Sequence, residues 1–261
     1  VDLLVLVNGF LLVIAGALSY KLAEWTLYPL KKSYERERRF LSDASHELRT
    51  PLSILRTELE NELSGHKNKT LRTQHIESNL EEVDRMSKII SDLLALSRLS
   101  EKEFDESIKT TQVNLNTLIA KTNERLAAVA KNNNIDLVCI LPKDDIIIES
   151  NESLVEAILL NGIKNAVTYN VPNGKVTTTL STLSKNDHHT NGVRISITDT
   201  GIGMSKEDTE KIFDRFYRVD SSRLRTTENS GLGLAITQSI VFAHGGDVGV
   251  NSEGGKTRFT L

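Results

Sequence analysis

Five short strings in this 261-residue sequence hold residue types and spacings suited to chemistry. The first is SHELRTPL, residues 45 to 52. It puts His46 and Thr50 four apart on one face of a helix, with Glu47 beside the histidine. A free imidazole titrates near about 6.5, so one ring nitrogen is largely unprotonated at neutral pH and available as a nucleophile. A neighbouring carboxylate can orient the ring and take the proton released by the attack. A lone helical histidine is ordinarily a surface residue. Here Pro51 follows about one turn on, where it removes a backbone donor and predicts a local kink that makes room for an incoming group. The second string is LLNGIKNAVTYN, residues 159 to 170, with Asn161 and Asn165 on one helix face. Amide oxygens suit Mg²⁺, a hard cation that retains waters.

The third string, DTGIGMS (199–205), follows the apolar run ISIT. Its glycines let the backbone turn close to a ligand. An aspartate at a strand end can accept from the amino group of adenine, a pattern that favours adenine over guanine. The string has neither the strand–GxGxxG–helix order of a dinucleotide site nor the lysine of a P-loop. The fourth, IFDRFYRVD (212–220), offers two aromatics and an arginine, Arg218, to offset phosphate charge. The fifth, SGLGLAI (230–236), is a glycine turn opening a helix, where backbone amides form a phosphate site.

Together these strings resemble the sensor histidine kinases of bacterial-type two-component systems, in motif order and approximate spacing, over about residues 35 to 261. FLSDASHELRTPLSIL resembles the family's phospho-acceptor box, and the other four its asparagine, first glycine, phenylalanine and second glycine boxes. The resemblance implies that His46 is phosphorylated, that Glu47 is the general base, and that Thr50 positions water when the protein dephosphorylates its partner. It implies an ATP site built from Asn161, Asn165, Tyr169, Asp199, Gly201, Gly203, Phe213, Phe216, Arg218, Gly231, Leu232 and Gly233. Asn165 would hold Mg²⁺, and the aspartate of a response regulator receiver domain would accept the phosphoryl group. One departure stands out: Thr168 occupies a position where the family commonly has lysine. It leaves a phosphatase-biased protein or a non-catalytic scaffold as an alternative. A gyrase- or chaperone-type ATPase clamp shares the ATP fold but lacks the SHELRTP helix.

The elements that must position these residues can be read from hydrophobic period. Residues 31 to 64 read as one helix with Leu48, Leu52, Leu55, Leu59 and Leu63 in a stripe. A second helix, from about Thr70 to Leu99, carries Ile76, Leu80, Val83, Ile90 and Leu94, after the polar turn GHKNK. Such a hairpin has too little core alone, and two copies packed as a four-helix bundle bury both stripes, so a homodimer is expected. Residues 100 to 112 read as a polar linker. Helices over 114–131 and 151–169 then mix with strands in IDLVCIL, DIIIES, VTTTL, VRISITD, GDVGVNS and TRFTL. The mixture predicts an α+β class; the resemblance implies an α/β-sandwich ATP-binding domain of Bergerat type over 112–261 and a dimerisation and phosphotransfer domain over 35–105. SSRLRTTENS reads as a lid between the last two motifs, and His188 and His189 as part of a solvated turn.

Composition bounds the rest. The net charge of −3 has no basic excess, and nothing in it points to nucleic acid. The single cysteine, Cys139, lies in an apolar run and reads as a core residue in a reducing compartment. From Leu3 to Leu18 the chain is uncharged, and Trp25, Tyr28 and the cluster Lys31, Lys32, Arg36, Arg38, Arg39 follow. This predicts a membrane-spanning helix over 1–20, a juxtamembrane linker over 21–34 with Pro29 as a joint, and catalytic parts in the cytoplasm at the cell membrane. A signal peptide would carry positive charge before its apolar run, and this one has only Asp2. A sensor module is expected upstream.

Overall fold

The computed structural model describes residues 2–63, 69–100, 110–183, 192–219 and 230–261. Residues 65–68 of the expected turn at 65–69, residues 101–109 of the expected linker at 100–112, His188 and His189, and residues 221–229 of the expected lid at 221–230 lie outside the described residues. The chain forms two compact units, Val1–Glu82 and Val83–Leu261.

The first unit is helical. Helix α1 runs unbroken over Asp2–Leu63. It continues through Pro29 and Pro51, so neither ends it, although a proline has no backbone N–H to give to the helix. Within α1, the 22 residues Val7–Tyr28 are long and apolar enough to cross a membrane, a window lying later in the chain than residues 1–20. Helix α2 spans Lys69–Ser100 and crosses from one unit into the other. In the first unit the two helices are linked by Ser78, whose hydroxyl donates to Glu58 Oε1 at 3.0 Å. The predicted stripes are largely exposed: Leu52, Leu59, Ile76 and Leu80 all face solvent. On the part of α2 that belongs to the second unit, the fully buried residues are Ile89 and Leu96, seven apart on a different face from Ile90 and Leu94.

The rest of the second unit is a layer of helices on a sheet. Strand β1 (Thr111–Asn114) pairs antiparallel with β3 (Ile147–Ser150). Its residues fall partly inside the segment expected to be linker; Val113 is apolar and buried, which draws the segment into the domain. Helix α3 (Leu115–Asn132) is capped by Asn114, and α4 (Glu152–Thr168) by Asn151, whose side chain accepts from the Leu154 amide. The main sheet has the order β2–β4–β5–β7–β6, formed by β2 (Asp136–Ile140), β4 (Lys175–Thr182), β5 (Val193–Asp199), β6 (Gly249–Glu253) and β7 (Lys256–Thr260). Among the described strand pairs only β2–β4 is parallel. A short helix α5 (Lys206–Lys211) was not legible in the apolar pattern, and α6 (Gly233–Ala243) closes the layer. Leu115, Ile119, Leu159, Ile163 and Ile197 are fully buried where α3 and α4 lie on the sheet.

Cys139 is exposed and not a core residue. Strand β2 is the edge of the sheet and buries none of its residues completely, so its apolar run covers the rim of the layer. The Asn123 amide reaches the Cys139 sulfur.

Candidate active site

Helix α4 divides into two faces. Val155, Leu159, Gly162, Ile163, Ala166 and Val167 pack inward. Asn161, Asn165 and Thr168 fall on the adjoining stripe, at the i, i+4, i+7 spacing of one helix face, and all three line a cavity of about 390 Å³. Asn161 is fixed by its amide, which donates to the Gly233 carbonyl at 3.2 Å. This bond ties α4 to the start of α6. The Thr168 hydroxyl turns back to the Lys164 carbonyl at 2.8 Å, and Lys164 itself lines the cavity. Tyr169 is the C-cap of α4 and also lines it.

Asp199 reaches the cavity by the period of a strand. Ile195 and Ile197 face the core, and the same period of two carries Asp199 inward at the strand end. It is 5% exposed. Burial pushes its carboxyl up to about 6, opposed by the Gly201 amide, which donates to Oδ1 at 2.9 Å. Any side chain at Gly201 would collide with the Tyr169 carbonyl oxygen, and its Cβ would lie 2.8 Å from Asp199 Oδ1. Gly203 lines the cavity, while Gly201 supports the turn behind it.

The remaining motifs meet through backbone. Gly231 has φ +73, and a Cβ there would lie 2.8 Å from the Phe216 carbonyl carbon. The Phe216 amide donates to the Gly231 carbonyl at 2.9 Å, and Phe216 itself adopts φ 62. A left-handed non-glycine residue next to a left-handed glycine is a strained pairing, held where the two motifs cross. Arg218, Gly231 and Gly233 line the cavity. Phe213, Phe216 and Leu232 do not; Leu232 is fully buried behind it. Eight of the twelve residues expected at the nucleotide site therefore line one cavity: Asn161, Asn165, Tyr169, Asp199, Gly203, Arg218, Gly231 and Gly233.

Sequence reading missed Tyr217 and Asp208. The Tyr217 hydroxyl donates to Asp208 Oδ1 at 2.6 Å, and Ser205 with Asp208 forms a capping box on α5. These bonds hold the Asp208 carboxyl below the usual carboxylate range, the Ser205 hydroxyl contributing most. The pattern Ser205-x-x-Asp208 was the available signal for that helix start. Ser230, Lys88 and Asp92 were also missed; Lys88 and Asp92 line the cavity from α2.

On α1, His46 is exposed and Glu47 half-buried. The Thr50 hydroxyl donates to the His46 carbonyl at 3.3 Å, which occupies it within the helix.

Two family models match this chain. Residues 36–102 match the His Kinase A (phospho-acceptor) domain, and residues 150–261 the histidine kinase-, DNA gyrase B- and HSP90-like ATPase. The chain belongs to the sensor histidine kinases. Among curated relatives it is similar to the sensor histidine kinase WalK of Bacillus subtilis, 35% identical over 87% of this chain and 36% of WalK. Among solved structures, the histidine kinase AdeS of Acinetobacter baumannii shares the fold, with TM-score 0.65, 22% identity, and coverage of 82% of this chain and 95% of that one. Full-length ShkA, solved in complex with AMPPNP, matches with TM-score 0.60 at 27% identity over 85% of this chain and 45% of ShkA. The chain spans between 36% and 52% of the length of curated sensor-kinase relatives such as WalK, ArlS and RppB.

Proposed function

We propose that this chain is the catalytic part of a membrane-anchored sensor histidine kinase that binds ATP with Mg²⁺, phosphorylates His46 and passes the phosphoryl group to an aspartate of a response regulator. The observation that carries this reading is the convergence of Asn161, Asn165, Asp199 and the two glycine turns on one cavity, in a chain whose other matched domain bears an exposed histidine on a helix.

The residues divide the work. Asp199 accepts from the adenine amino group. Gly231 and Gly233, at the opening of α6, offer backbone amides to phosphates. Among the described residues no three His, Cys, Asp or Glu cluster to hold a metal. The donors present, Asn165 above all, fit a cation held mainly by phosphate and water, as Mg²⁺ is. When bound, the cation neutralises charge on the phosphates. Arg218 adds a positive charge at the same cavity. An imidazole nitrogen of His46 attacks the terminal phosphorus, an N–P bond forms, and the P–O bond to ADP breaks with its electron pair leaving on ADP. Glu47 takes the ring proton. The exposed apolar stripes, with Leu59 at 56% and Leu80 at 60%, support a homodimer that covers them. The apolar window Val7–Tyr28 supports a membrane anchor, with the catalytic parts in the cytoplasm.

The test is incubation of the whole chain in lipid nanodiscs with γ-labelled ATP and Mg²⁺, beside His46→Gln and Asn165→Ala. Acid-labile, base-stable label on the unaltered protein, absent from both variants, is expected. Tight nucleotide binding without label would overturn the kinase reading in favour of a phosphatase-biased protein, with Thr168→Lys the first variant to make.

A further inference from the structure

Lys88 and Asp92 are four apart on α2, and both line the cavity that holds Asn161, Asn165, Gly231 and Gly233. Asp92 makes a specific contact there. The Ser230 hydroxyl donates to Asp92 Oδ2 at 3.1 Å. Ser230 is 7% exposed, and its oxygen also accepts from the Leu232 amide at 3.3 Å. The hydroxyl thus spends its one hydrogen on Asp92, and the oxygen occupies one of the amides beside the opening of α6. Ser230 lines the cavity beside the helix opening that the nucleotide reading assigns to phosphates. Asp92 also places a carboxylate in a cavity built to take a polyanion. Its burial disfavours charge and raises its affinity for a proton, with Ser230 and Lys88 acting the other way. Like charges brought together in a partly dry cavity repel strongly.

We propose that Asp92 is an inhibitory residue of the nucleotide site: its bond to Ser230 holds α2 across the cavity in competition with the phosphates of a nucleotide. This rests on the nucleotide reading above. Nucleotide binding then breaks the Asp92–Ser230 bond and frees this stretch of α2, and a protein without the bond binds nucleotide more tightly. The charge and the hydrogen bond contribute separately. Asp92→Asn removes the charge and keeps an acceptor for Ser230, whereas Asp92→Ala removes both.

The experiment measures AMPPNP binding by calorimetry to the whole chain and to Asp92→Ala and Asp92→Asn, each first checked for an unchanged melting profile. Affinity is expected to rise on the order of tenfold in Asp92→Ala and severalfold in Asp92→Asn, the size of one removed repulsion at this range. In parallel, spin labels at Ser91→Cys and Asn251→Cys, on a Cys139→Ser background, report the distance from α2 to the sheet. AMPPNP should lengthen it, and Asp92→Ala should show the longer distance without nucleotide. Equal or weaker binding in Asp92→Ala, or a distance that ignores AMPPNP, would overturn the proposal and leave the nucleotide site standing. Failure of every protein to bind AMPPNP would instead overturn the nucleotide reading on which it depends.

Discussion

Asp199 sets a buried carboxyl in the wall of the cavity. Its folded value of about 6 lies above its ordinary 3.8, so the folded state binds the proton more tightly. The contribution of this group to stability is therefore largest below 3.8 and is lost as pH rises through about 6. On the proposed nucleotide reading ligand binding runs the other way, because an ionised carboxylate is the better acceptor for the adenine amino group. Adenosine carries no phosphate to titrate in this range, which makes it the suitable probe. Its affinity, followed by NMR titration, should fall as pH drops below about 6, and Asp199→Asn should abolish that dependence. The same variant turns a donor toward the adenine amino group. Affinity should drop roughly 10- to 100-fold, the cost of an unpaired polar contact. A melting temperature that does not fall would show that the loss is local.

Helix α4 carries both asparagines of the site, and its start is fixed by a single side chain, Asn151, accepting from Leu154 at 3.2 Å. Asn151→Ala should lower stability by about 1 kcal/mol in a denaturant titration, and Asn151→Asp should recover most of it. The site lies some three turns further along, so AMPPNP affinity should change less than twofold in either variant. Elements of this kind were readable from residue types: α4, α6, β4 and β5 fall where apolar period and glycine turns place them. Strand β1 and helix α5 were not. β1 is only four residues long, and it becomes a strand by pairing with β3, a partner distant in the chain. Helix α5 has no buried residue, so it has no apolar stripe to read, and its capping box is what holds it.

At the scale of the molecule, α1 links the apolar window Val7–Tyr28 to His46 without a break. A continuous helix transmits rotation and tilt along its length, so the phase between the window and His46 should matter. Inserting one residue after Ser33 turns everything beyond it by about 100°, whereas seven residues make nearly two full turns. Autophosphorylation in nanodiscs should vary across insertions of one to four residues and return towards the original level at seven. Activity indifferent to phase would rule out coupling through α1.

The sequence by itself determined the fold class, the order of the motifs and eight of the residues that line the cavity, because glycine turns, strand ends and helix faces are local properties written in residue type and period. It could place Asp199, Asn161 and Asn165 on their elements without knowing what those elements faced. The tertiary structure decided the properties that arise from contact between distant segments. It raised the Asp199 carboxyl by burial, set Gly231 against the Phe216 backbone, left Cys139 exposed on an edge strand, and brought Asp92 to Ser230, 138 residues along the chain. Desolvation and packing depend on neighbours supplied by the whole fold, and no local pattern carries them.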